Sequence, residues 1–176
     1  MLKMLFFALA ILCLAHASTL AQPQPQPLPT YPKTVGYLSF ILPLVTINKN
    51  TTTNDFSGGV NQFAIGFPVG VNVLYREHFG FSYEIIPTIQ ASPGMTKTSK
   101  ILFDPGPMFR FSHGFTFVPR LAFETTGRYG FTPVFNEVYA RTKVANYFVA
   151  MSLPARFGNN ELPTIGLNLQ LGLIFN

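Results

Sequence analysis

Cysteine is nearly absent: Cys13 is the only one in 176 residues, and it falls within the first twenty. The rest of the chain can therefore form no internal disulfide and no thiolate metal site. Charge is scarce as well, at 11% of residues. The basic residues are scattered rather than clustered, which excludes the patch a nucleic-acid binder needs. After the first twenty residues no apolar run reaches the ~18 needed for a membrane-spanning helix. Histidine is limited to His78 and His113 beyond the amino terminus. No metal-ligand spacing and no phosphate-binding glycine loop occurs. Against these shortages stand 48% hydrophobic residues, with 15 prolines and 14 glycines that argue against an all-helical chain.

Residues 1–21 read as a secretory signal, with Lys3 ahead of an apolar core over residues 4–15. Small-residue cleavage sites end at Ala17 and Ala21; cleavage after Ala21 leaves Gln22 first and lowers the formal charge from +5 by the one lysine lost. A lipoprotein reading of Cys13 meets Leu12 where a small residue is expected. Residues 22–33, QPQPQPLPTYPK, form a Pro-rich tail that reads as a spacer.

Residues 59–89 carry the main signal. Phe63, Ile65, Phe67, Val69, Val71, Val73 and Tyr75 are all large and apolar, whereas Gln62, Ala64, Gly66, Pro68, Gly70 and Asn72 are small or polar. The period is two, so this is a strand with two unlike faces. After a short break the pattern resumes through Phe81, Tyr83, Ile85, Pro87 and Ile89. The apolar face is continuous and aromatic, and the other holds glycines and lone charges. That distribution suits a closed sheet with lipid outside and a polar, filled interior.

Eight strands are expected in all, at 34–47, the pair just described, 101–111, 115–125, 131–140, 147–157 and 165–175, with loops at 48–58, 92–100 and 158–163. The first is apolar on both parities, so its facing stays open. The sixth is the weakest, and 127–143 could instead be one long loop. Phe111 and Phe115 share parity across Ser112-His113-Gly114, which fits a three-residue hairpin turn with glycine in the left-handed region.

A signal peptide, eight amphipathic strands and a last strand ending in Phe175 resemble the small outer-membrane β-barrel proteins of Gram-negative bacteria. The resemblance covers 34–176. It implies an all-β, closed antiparallel up-and-down transmembrane barrel in the bacterial outer membrane. It implies contact with outer-membrane lipid and lipopolysaccharide, the barrel assembly machinery as partner during biogenesis, a monomer, and no nucleic acid. In that family a terminal aromatic helps the assembly machinery recognise the chain; here Asn176 follows Phe175.

The inward parity supplies Glu84, Asp104, Arg110, Arg120, Glu124 and Arg156, which read as an interior charge network, since charges in a narrow interior must be paired. Extending the hairpin register sets Arg120 opposite Gly106. Closing 92–100 as a loop makes Glu84 diagonal to Arg110. Both histidines fall in short turns, and Ser112 beside His113 does not by itself make a nucleophile and base. No catalytic residue, cofactor or metal is expected. The expected function is a non-enzymatic barrel with a structural or binding role through its outer loops. A narrow channel for small solutes is the alternative, followed by a secreted lipocalin-like carrier.

Overall fold

The computed structural model describes residues 30–53 and 63–175. The expected signal over 1–21, most of the Pro-rich tail and residues 54–62 lie outside the described residues. The chain divides after Thr30, and all that follows concerns the unit Tyr31–Asn176.

That unit is all β. Its strands are β1 (Lys33–Asn48), β2 (Thr52–Thr53), β3 (Phe63–Gly66), β4 (Val69–Leu74), β5 (Phe79–Ser92) and β6 (Met95–Phe103). They continue as β7 (Gly106–Arg110), β8 (Phe115–Glu124), β9 (Tyr129–Arg141), β10 (Ala145–Ser152), β11 (Ala155–Phe157) and β12 (Thr164–Phe175). Every pairing is antiparallel, and the sheet closes because β1 pairs with β12 on one side and with β3 and β4 on the other.

Among the described residues the sheet has 12 strands, not the eight expected. Proline accounts for most of the difference, because it has no N–H to give to a ladder. Breaks at Pro68, Pro105 and Pro154 separate β3 from β4, β6 from β7 and β10 from β11. Register does not slip at any of them: Gly66 pairs with Thr88 before the first break and Val69 with Ile85 after it. The remaining strand, β2, lies in the expected 48–58 loop and pairs with the end of β1.

The expected 92–100 loop is also corrected. Ser92 pairs with Met95, so β5 and β6 turn tightly through Pro93 and Gly94. Proline presets one turn position, and Gly94 takes the left-handed φ of 76° at the next. The weak sixth segment is a full strand, β9, paired on both edges. Between β7 and β8, Phe109 pairs with Phe117, the register expected from the three-residue turn.

Burial follows parity. Val69, Val71, Tyr83 and Ile85 are exposed, while Gly70, Asn72, Ser82 and Glu84 are buried. β1 explains its own ambiguity: Tyr37 pairs with inward Gly70, so its odd residues face inward, and a bulge between Pro43 and Val45 then reverses the parity. Turns at 75–78, 111–114 and 142–144 share one end of the closed sheet with the start of β1 and the end of β12. This is the short-turn end. The turns at 93–94 and 125–128 and the connection at 158–163 lie at the other, long-loop end, together with the end of β1 and β2.

Candidate functional site

The interior is crossed at mid-length by one arginine. Arg120 projects from β8, which lies across the ring from β1. Its Nη2 donates to Tyr37 Oη and Ser82 Oγ, both at 3.0 Å. Its Nη1 forms an ion pair with Glu84 Oε2 and stands 4.0 Å from Asp104 Oδ2. Gln170 of β12 completes the crossing, donating to Glu84 Oε1 at 3.1 Å and to Ser39 Oγ at 2.8 Å. Glu84 is 0% exposed and Arg120 6%, so neither charge leans on water.

Two glycines make the crossing possible. The Tyr37 ring lies over Gly70, in space a Cβ there would occupy. Gly106 lets the β7 backbone come close to Pro119 and Arg120, where a Cβ would meet backbone atoms. Tyr37 is held from its other side by an edge-on contact with Phe148, ring centroids 6.2 Å apart.

A second set of contacts continues toward the long-loop end. Thr132 Oγ1 donates to Asp104 Oδ1 at 3.4 Å and accepts from Arg156 Nη2 at 2.9 Å. Arg156 Nε donates to Glu124 Oε1 at 3.2 Å, and Lys100 Nζ meets the same oxygen at 2.7 Å. Arg156 also donates to the carbonyls of Phe131 and Ala155. At the rim Arg128 pairs with Glu161 at 3.1 Å and donates to Leu162 O, tying down the 158–163 connection.

Five of the six residues singled out from sequence thus meet in one connected set: Glu84, Asp104, Arg120, Glu124 and Arg156. Arg110 does not, and the expected Glu84–Arg110 pair is overturned. With 92–100 folded into strands, Ser82 pairs with Gly106, which carries Arg110 toward the turn. There Arg110 Nη1 donates to the Glu77 carbonyl at 3.0 Å. The partner of Glu84 is Arg120.

Sequence reasoning missed Tyr37, Ser39, Ser82, Lys100, Thr132 and Gln170. Ser82, Thr132 and Gln170 carried a usable signal, as polar residues at inward positions of apolar strands. Tyr37 and Ser39 carried none, because the bulge in β1 hides their facing.

Two chambers flank the crossing. One, about 230 Å³, opens toward the short-turn end, with Lys33, Arg110 and Arg141 at its rim and Leu74, Met108 and Val118 on its walls. The other, about 200 Å³, holds the ion pairs of the long-loop half. Arg120 and Gln170 line both. His78 and His113 sit in the short turns; His78 Nδ1 lies 3.2 Å from the Arg110 carbonyl. No group of acidic, histidine or cysteine residues fit to hold a metal exists among the described residues.

The outer surface near the short-turn end is aromatic. Tyr75 stacks on Phe79 at 6.3 Å, Phe79 meets Phe109 at 5.8 Å, and Phe111 meets Phe115 at 5.7 Å.

No protein-family model matches the chain, and no curated protein matches it. Among solved structures it is similar to the solution NMR structure of the de novo designed TMB2.3, a designed transmembrane β-barrel. The identity is 13% and the TM-score 0.39, over 81% of this chain and 94% of that one.

Proposed function

We propose that this chain is a small, non-enzymatic integral membrane β-barrel of a Gram-negative outer membrane, plugged at mid-depth and acting through binding. The observation that carries this reading is the inverted distribution of polarity. Phe63, Val69, Ile85, Leu121, Phe123 and Phe131 are each at least half exposed on the outer face, while Glu84, Asp104, Arg120, Glu124 and Arg156 are buried inside. A soluble monomer rarely exposes so continuous an apolar surface. Closing the sheet through β1 and β12 also pairs the long strands β5, β8, β9 and β12 on both edges, the condition for strands to cross lipid. The same distribution runs against a lipocalin-like carrier, whose interior is apolar and exterior polar.

In this reading the short turns face the periplasm and the long loops the cell exterior. The aromatics near the short turns form an interfacial girdle in contact with lipid, and lipopolysaccharide meets the outer rim. The barrel assembly machinery inserts the chain as a monomer. Expression with residues 1–21 attached, followed by fractionation, tests the reading. The protein is expected in the outer-membrane fraction, released only by detergent. Recovery as a soluble monomer without detergent overturns it.

The two chambers that abut Arg120 from opposite ends favour a second reading, a narrow channel closed by a movable plug. Planar-bilayer conductance separates the two: the plugged barrel is silent, whereas a channel gives single-channel steps that bulky residues at Gly66 and Gly70 abolish.

A further inference from the structure

The two chambers differ in a way that ion pairing does not explain. The long-loop chamber contains carboxylates and cations together. Among the described residues that line the short-turn chamber, the charged ones are Lys33, Arg110, Arg141 and Arg120, and none is a carboxylate. Among the described residues, no ion pair engages Lys33, Arg110 or Arg141. Below this cationic rim the walls are apolar, built from a buried cluster that includes Leu74, Met108, Val118, Val134 and Phe148.

We propose that the short-turn chamber binds an amphipathic monoanion, a carboxylate carrying a short alkyl chain. The carboxylate sits among Lys33, Arg110 and Arg141, where a guanidinium can engage both oxygens. The alkyl chain runs inward along Met108 and Val118 and stops at Tyr37 and Arg120. A purely inorganic anion leaves the apolar walls unused, and a neutral chain leaves the cations unmatched. An apolar pocket with a few convergent polar groups is the usual form of a small-molecule site.

The proposal rests on the membrane reading, and the two fail differently. The test uses the full-length chain labelled with methyl-¹³C methionine, in lipid nanodiscs, titrated with sodium octanoate and with 1-octanol. A chain that never enters the nanodisc contradicts the membrane reading before any ligand is added. Met108 is buried in the chamber, whereas Met151 stands on the outer face at 50% exposure and reports ligand dissolved in lipid. Octanoate is expected to shift Met108 saturably and Met151 only in proportion to its concentration, with 1-octanol at least tenfold weaker at Met108. K33Q with R110Q is expected to weaken octanoate at least tenfold without moving the other methionine signals. R141Q alone, farther from the plug, gives a smaller loss and covers the case in which the double variant fails to fold. An unmoved Met108 in an inserted protein, parallel shifts at Met108 and Met151, or equal binding of octanol and octanoate each overturns the proposal.

Discussion

The two halves of the interior meet at Arg120 and are built on different chemistry. Toward the long loops, Asp104, Thr132, Arg156, Glu124 and Lys100 form a relay in which each charged group depends on the next. Toward the short turns, Lys33, Arg110 and Arg141 surround an apolar chamber and no other buried group depends on them. Substitution should therefore cost far more in the first half than in the second. Removing one member of a buried pair strands its partner's charge, whereas removing a rim cation leaves nothing unpaired.

The sharpest contrast compares Arg120 with Arg110. Arg120→Met should cost ~3–5 kcal/mol in a reversible unfolding titration in detergent or lipid, because it strands Glu84 at full burial. Adding Glu84→Gln should recover much of that loss. The combination of Glu84→Gln with Arg110→Met should instead be additive within ~0.5 kcal/mol. Strong coupling of Glu84 to Arg110 would move the boundary between the halves.

The next effect tests facing within the short-turn half. Val71→Arg places a charge on the outer face, which the proposed membrane setting puts in lipid, and should cost ~2–4 kcal/mol near mid-depth. Asn72→Asp, a carboxylate of the same shape pointing into the cationic chamber, should cost less, read by the same titration. Equal costs would mean that the two faces are not distinct.

Smaller again is Gly70→Ala. The added methyl falls where the Tyr37 ring lies, and an overpacked site of this kind costs ~1–3 kcal/mol. The smallest change is Glu161→Gln at the long-loop rim. Its pair with Arg128 is half open to water, so the loss should stay within ~1 kcal/mol. A larger loss would extend the tightly coupled half out to the rim.

Alternation was legible wherever a strand kept its parity. The strands around Val71, Tyr83, Phe123 and Leu167 each show it, and the register of the three-residue turn at 112–114 gave Arg120 its place opposite Gly106. What stayed hidden had local physical causes. Three prolines interrupt hydrogen bonding without moving the register, so strands that read as continuous are divided. The β1 bulge inverts facing and conceals Tyr37. The 95–100 segment, Met-Thr-Lys-Thr-Ser-Lys, is polar enough to read as a loop, yet its residues suit an exposed strand beyond a Pro-Gly turn. That one error shifted Glu84 onto the wrong arginine. The chamber was invisible for another reason: it depends on which cations lack partners, and a sequence does not show pairing.

The central claim is that a closed sheet stands in lipid with its odd-numbered residues outward over β4. Single cysteines placed in turn at residues 69 to 74, in a background with Cys13 replaced by serine, can be spin-labelled after reconstitution into bilayers. Collision rates with oxygen, which concentrates in lipid, then report facing at each position. The account predicts maxima at 69, 71 and 73 and minima at 70, 72 and 74. A flat profile, or one with the opposite phase, would contradict it.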